Sequence, residues 1–206
     1  IRHEAMKTYA YEIFSELGRV PDFSFHPMGT GGGVWGTWKG YNELAAMGVT
    51  DKVPHMVPVQ PEAVCWLKRA VDSGAEVAEM YGDSTRTIAQ SISGNSPLQG
   101  GRRLIRAVRE SGGAAMAVSD DEILAAMVDL GHEGIGAEPS SASTVAAFKQ
   151  AVKAGKISSS DTVVCVITGT AFKQPSVVEH IAALPKYTIR ADVDQLKGLL
   201  VRLKLL

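Results

Sequence analysis

The segment His26-Pro-Met-Gly-Thr-Gly-Gly-Gly33 places Gly29, Thr30, Gly31, Gly32 and Gly33 between a strand pattern and a helix pattern. Without Cβ atoms, the backbone N–H groups of such a loop can approach a ligand closely. The positive end of the following helix adds attraction for an oxyanion, with no lysine or arginine required. The loop reads as a phosphate cradle, the alternative being a tight turn rich in glycine. Gly31, Gly33 and Gly36 also satisfy the spacing GxGxxG, but a dinucleotide site wants an acidic residue at the end of the next strand, where this chain has Gln60. A second constellation, Val163-Val-Cys-Val-Ile-Thr-Gly-Thr170, ends an apolar strand in a hydroxyl. Thr168 could hydrogen-bond a ring nitrogen or hydroxyl in the crevice beyond the strand, or could cap a turn. In a third, Gly134-Ile-Gly-Ala-Glu-Pro-Ser-Ser-Ala142, Glu138 is a site carboxylate or a dipole partner for the next helix. His3, His26, His55, His132 and His180 show no metal-ligand spacing and read as surface or satisfied core imidazoles.

Alternating strands and helices would have to hold these groups in place. Helical spacing runs from Glu4 to Leu17 and stops at Gly18; a strand spans Asp22 to Met28; helical spacing resumes from Val34 to Met47. A strand at His55 to Val59 leads into a helix from Glu62 to about Asp72. Ser73 to Gly101 reads as mostly loop, with Thr85 and Thr87 among its polar residues. Arg102 to Ser111 is helical and Ala114 to Val118 a strand. Ser119-Asp-Asp-Glu122 is a capping box opening a helix to Leu130. Ser140 or Ser141 is expected to cap a helix to Ala154, followed by a strand from Thr162 to Thr168 and a helix from Pro175. A short strand at Tyr187 to Ile189 and an amphipathic helix from Val193 to Leu206 close the chain and are expected to pack on the body. The pattern predicts one doubly wound α/β domain over 1–206, with a mostly parallel sheet covered by helices on both faces and ligands at the carboxyl ends of its strands.

Composition narrows the class. At 206 residues and 45% hydrophobic content, the chain can bury a substantial core. Its 21 basic and 22 acidic residues nearly cancel, so the electrostatics favour neither nucleic acid nor an anionic membrane surface. No apolar run approaches the roughly 18 residues of a membrane span. Cys65 and Cys165 stand a hundred positions apart, which suits core thiols in a reducing, cytoplasmic setting.

The order of these segments resembles the later part of the threonine synthase family, among the pyridoxal-phosphate enzymes of the tryptophan synthase β-like fold (fold type II). The resemblance rests on the glycine loop, the capping-box helix, Glu138-Pro-Ser-Ser-Ala142 and the strand ending in Thr168-Gly. It extends to Glu4-Ala-Met-Lys-Thr-Tyr-Ala-Tyr-Glu-Ile13 and to Thr168-Gly-Thr-Ala-Phe-Lys-Gln-Pro175. It implies that Gly29, Thr30, Gly31, Gly32 and Gly33 bind the phosphate of pyridoxal 5'-phosphate and that Thr168 meets the pyridine nitrogen. The implied activity is β- or γ-elimination or replacement on a small amino acid, in a homodimer. The family's Schiff-base lysine lies in the half preceding this sequence; Lys7, Lys39 and Lys173 read as solvated surface charges. Together with the absence of an initiator Met at Ile1, this makes the chain read as a C-terminal fragment of a longer enzyme. The family's loop usually runs G-N-x-G-N, whereas Gly29-Thr-Gly-Gly-Gly33 is nearer the cysteine and cystathionine synthases. An arginine that often holds a substrate phosphate around Thr87 to Asn95 has no counterpart before Arg102. Serine/threonine dehydratase or cysteine/cystathionine synthase-like β-replacement are therefore alternatives, as is an NAD(P)- or nucleotide-binding Rossmann domain without Schiff-base chemistry.

Overall fold

Among the described residues, four strands pair side by side, all parallel: β1 (Phe23–Pro27), β2 (His55–Pro61), β3 (Met116–Val118) and β4 (Val163–Cys165), in the order β3-β2-β1-β4. The computed structural model of the chain describes residues 2–80, 86–182 and 187–206. β1 is central, with Phe25 opposite Val57 on one side and Cys165 on the other. Successive strands step outward from β1 to β3, and then the chain returns to place β4 on the opposite side of β1. This reversal creates a switch point between β1 and β4, where ligands of open α/β sheets bind.

Both faces of the sheet are covered, so its strands are largely apolar, with Ser24, His26 and Gln60 as buried polar exceptions. On one face α2 (Thr8–Leu17), α3 (Gly32–Ala46), α4 (Trp66–Asp72) and α5 (Arg102–Glu110) bury Ala10, Trp38, Tyr41, Leu67, Ile105 and Met56. On the other, α6 (Asp120–His132) and α7 (Pro139–Lys153) bury Ile123, Ala126, Ala142 and Ala146 against Phe25, Val57 and Val59. Alternation along β2, Met56 to one core and Val57 to the other, is the strand period expressed as two cores.

Local chemistry sets several boundaries. The Ser119 side chain and the Glu122 carboxylate form the expected capping box of α6. Between Ala5, where α1 (Arg2–Ala5) ends, and Thr8, a turn at Met6 and Lys7 interrupts the expected first helix. It lies against α3, where a Cβ on Gly36 would stand 2.4 Å from Met6 Cβ and one on Gly40 would stand 2.7 Å from the Lys7 carbonyl oxygen. These two glycines let the N-terminal helices lie directly on α3, which accounts for Gly36 without a dinucleotide.

Four boundaries depart from the sequence reading. The helix expected from Glu62 divides into a 3-10 turn (Glu62–Val64) and α4, because Gln60 Oε1 accepts the Leu67 N–H at 2.9 Å while its amide donates to the Val64 carbonyl. The N-cap of α7 is Glu138 rather than Ser140 or Ser141, since Pro139 occupies the first helical position. β4 ends at Cys165 rather than Thr168: one further bond, Val166 N–H to the Phe25 carbonyl, completes the pairing, and Pro27, the next β1 residue facing β4, has no N–H with which to extend it. Beyond α8 (Pro175–Ala182), Tyr187 to Ile189 forms no strand; these residues are exposed and lead to α9 (Val193–Arg202), which Asp192 caps and which has no buried residue. The stretch 73–101 is mostly irregular among its described residues, with 3-10 turns at Gln90–Ile92 and Leu98–Gly101; Thr85 lies outside the described residues.

Candidate functional site

The glycine loop leaves β1 and enters α3 at the switch point. Gly31 is the N-cap, with φ +79, and the first bond into the helix runs from the Trp35 N–H to the Gly31 carbonyl. The N–H groups before Trp35 therefore form the open first turn of α3, the part of a helix that attracts an anion. The left-handed backbone at Gly31 is one that a side chain rarely tolerates.

Thr168 comes from the other side of the switch point. Its loop is clipped to the start of α7: the Glu138 N–H donates to the Gly169 carbonyl at 3.0 Å, and the Thr168 and Gly169 N–H groups donate to Ser141 Oγ at 3.0 and 2.8 Å. Gly169 allows the close approach, because a Cβ there would sit 2.2 Å from Glu138 Oε1. Gly29, Thr30, Gly31, Gly32, Gly33 and Thr168, far apart in sequence, line one cleft of about 570 Å3. Arg2, Tyr9, His26, Ser91, Ser140 and Lys173 line it with them.

Electrostatics in the cleft are mixed. Glu138 is buried, accepting from Ser91 Oγ and Lys173 Nζ, each at 3.3 Å. Lys173 is solvent-exposed, as expected, and also a cleft residue with a partner. Lys7 departs from that expectation: paired at 2.8 Å with both Glu4 and Glu43, its side chain is only 18% exposed. Those partners, Glu4 first, raise its pKa well above the ordinary lysine range. Lys39 pairs with Glu4 and Glu43 as well. Burial pushes the Cys165 thiol up to about 12, so it stays a thiol rather than a nucleophilic thiolate. Ser140 Oγ is buried without a partner among the described residues, an orphaned polar atom at the start of α7 on the cleft wall.

His26 is a satisfied core imidazole, its Nε2 3.0 Å from Ser24 Oγ. Burial holds its pKa down to about 4, against an ordinary 6.5. Because the folded value is the lower one, the unfolded chain takes up the proton first as pH falls. The contribution is complete above about pH 6.5 and is lost progressively down to about pH 4, reaching ~3 kcal/mol at ~1.4 kcal/mol per unit. Urea midpoints measured from pH 7 to pH 4.5 are expected to fall less steeply in His26→Asn than in the unsubstituted protein. Equal slopes would contradict the burial argument.

A family model described as pyridoxal-phosphate dependent enzyme matches residues 1–169. The chain belongs to this pyridoxal-phosphate-dependent family. It is 38% identical to the threonine synthase of Methanosarcina acetivorans over 95% of its length and 48% of that protein's. It is 34% identical to the threonine synthase of Methanocaldococcus jannaschii over 98% of its length and 50% of that protein's. The chain thus spans about half the length of the curated relatives it matches. The processed form of threonine deaminase isoform 2 from Solanum lycopersicum superposes with a TM-score of 0.69 at 20% identity, covering 87% of this chain and 49% of that one. The fold is therefore that of the fold type II pyridoxal-phosphate enzymes.

Family membership and the Gln60 geometry together remove the nucleotide-binding alternative. Gln60 is neutral and buried, with both ends of its amide bonded to the chain around α4, so it does not supply the acidic group a ribose would need. Sequence reasoning missed Arg2, Tyr9, Ser91 and Ser140 as cleft residues. Pro139 was the available signal for Ser140, since proline at the first helical position puts the next residues in the first turn. Arg2 carried no local signal. It reaches the loop through the helix crossing at Gly36 and Gly40, ending with its Nε 3.7 Å from where a Gly32 Cβ would be.

Proposed function

We propose that the protein is a pyridoxal-phosphate-dependent lyase or synthase acting on a small amino acid by β- or γ-elimination or replacement, in the manner of the threonine synthases. The observation that carries this reading is the meeting, in one cleft at the switch point, of a glycine loop at a helix N-terminus and a strand-end hydroxyl. These residues suit pyridoxal phosphate: N–H groups of Gly29 to Gly33 would hold the phosphate, Thr168 would meet the ring nitrogen, and the orphaned Ser140 Oγ offers a further polar contact. When bound, this cofactor supplies an electron-accepting ring that stabilises negative charge on the substrate. The chain's own groups bind and orient it.

The residues 1–206 are proposed as the cofactor-binding domain of a longer enzyme, a reading supported by the half-length coverage of the relatives. No helix among the described residues is long and apolar enough to cross a membrane. A homodimeric assembly and a cytoplasmic location belong to the same proposal, supported by the family resemblance and by two unpaired cysteines.

Arg2 bears on the substrate. Among the described residues, the cleft is lined by two cations, and Lys173 is engaged by Glu138, so Arg2 is the charge available to an anionic group beyond the cofactor phosphate. This favours a phosphorylated amino acid such as phosphohomoserine. The loop Gly29-Thr-Gly-Gly-Gly33 favours the second reading, a dehydratase or a cysteine/cystathionine synthase-like β-replacement. Phosphate release from phosphohomoserine and keto-acid formation from serine or threonine, measured on the protein as its gene encodes it, separate the two. The first reading predicts phosphate release and, for Arg2→Ala, a KM raised about tenfold or more with cofactor affinity unchanged, the worth of one charge-assisted hydrogen bond. Keto-acid formation alone, unaffected by Arg2→Ala, would support the second.

A further inference from the structure

The clip between the Thr168 loop and α7 constrains where hydroxyl hydrogens can point. Ser141 Oγ has three partners: the Thr168 N–H at 3.0 Å, the Gly169 N–H at 2.8 Å and Thr168 Oγ1 at 3.0 Å. A serine hydroxyl carries two lone pairs and one hydrogen. Both amides can only donate, so they occupy the two lone pairs. The hydrogen of Ser141 must then go to Thr168 Oγ1, although the distance alone would allow either direction.

Thr168 Oγ1 thereby accepts from below, which leaves its own hydrogen and one lone pair for the cleft. Ser141 is fully buried, whereas Thr168 faces the cleft. If the group opposite Thr168 were a donor, the Thr168 hydrogen would lose that partner; if it is an acceptor, every group in the chain of bonds is satisfied. The charged groups lining the same cleft are Arg2, Lys173 and Glu138, with His26 neutral by burial. Glu138, the group that could favour a positive ring, is already engaged by Lys173 and Ser91.

We propose that Ser141 is a positioning residue that occupies one Thr168 lone pair and so biases the Thr168 hydroxyl toward donating into the cleft, favouring an unprotonated ring nitrogen on the cofactor. The proposal rests on the reading of this cleft as the pyridoxal-phosphate site. Without the Ser141 hydroxyl, Thr168 is free to rotate and accept from a protonated ring, so protonation becomes easier.

The test uses pyridoxamine 5'-phosphate labelled with 15N in the ring, bound to the protein as its gene encodes it and followed by NMR across a pH series. The unsubstituted protein is expected to hold the ring nitrogen unprotonated at neutral pH. Ser141→Ala is expected to raise the ring's apparent pKa by about one unit and weaken binding up to about tenfold, the scale of one hydrogen bond. Ser141→Cys keeps the side-chain shape with a poor donor and is expected to move the pKa in the same direction. It carries the test should the alanine variant not fold. A protonated ring in the unsubstituted protein would overturn the proposal. So would an unchanged ring pKa in the folded Ser141 variants beside a changed one in Thr168→Val, with the cofactor reading left standing. Failure of the unsubstituted protein to bind pyridoxamine 5'-phosphate would overturn the cofactor reading and this proposal with it.

Discussion

Gly31→Leu is expected to abolish retention of pyridoxal phosphate, weakening binding at least about a hundredfold. Two features of the position act together. Its φ of +79 lies in the left-handed region that side chains rarely adopt, and a Cβ there would stand 2.2 Å from Leu104 Cδ1. Leu104 is itself buried in the core behind the loop, so the collision is relieved most readily by moving the loop. Displacing even two N–H groups from a phosphate forfeits about 3 kcal/mol or more, roughly a hundredfold in affinity. The control is Gly18→Ala, which also has a positive φ, +64, but sits at the end of α2 with open space around it. That variant is expected to lose stability without losing affinity. Equilibrium dialysis against pyridoxal phosphate reads the difference. Undiminished binding by a folded Gly31→Leu protein would remove the loop from the site.

A comparably large effect on stability is expected at Gly113→Ala. The turn between α5 and β3 passes directly beneath β2, where Ser111 Oγ accepts the Met56 N–H at 3.1 Å and a Cβ on Gly113 would meet the Met56 carbonyl oxygen at 2.0 Å. A side chain could rotate away from such a contact. The backbone of a central strand cannot, so the cost falls toward the upper end of overpacking penalties, about 3 kcal/mol, or roughly 6–12 °C in Tm for a chain of this size. Gly155→Ala, left-handed at φ +67 with nothing within reach of a Cβ, supplies the comparison for backbone strain alone. Thermal unfolding in which both variants lose equally would contradict the packing argument.

Much of this architecture was legible in the sequence because it is written in local patterns. The Ser119 capping box, the Gly18 stop, the alternation of β1 and the apolar run of β2 each follow from chemistry within a few residues. The glycine loop was legible for the same reason, since a strand, small residues and a helix in series leave few other geometries. What local patterns do not encode is where distant segments meet. Thr168 could be placed at a strand end, yet the early end of β4 depends on where β1 stops pairing. The Tyr187 to Ile189 run has strand-forming residues but no strand beside it among the described residues. Arg2 enters the cleft through a helix crossing that depends on Gly36 and Gly40, far along the chain beyond β1, and no period along the chain announces it. Ser141 is the subtler case. Its hydroxyl was read as a helix cap, its usual use near a helix start, until the fold brought two amides and Thr168 around it.

The most direct test of the central claim is a crystal structure of the protein, as its gene encodes it, with pyridoxal phosphate bound. The account predicts phosphate density on the N–H groups of Gly29 to Gly33 at the start of α3, and the ring nitrogen within hydrogen-bonding distance of Thr168 Oγ1. Phosphate bound elsewhere, or a ring turned away from Thr168, would contradict it.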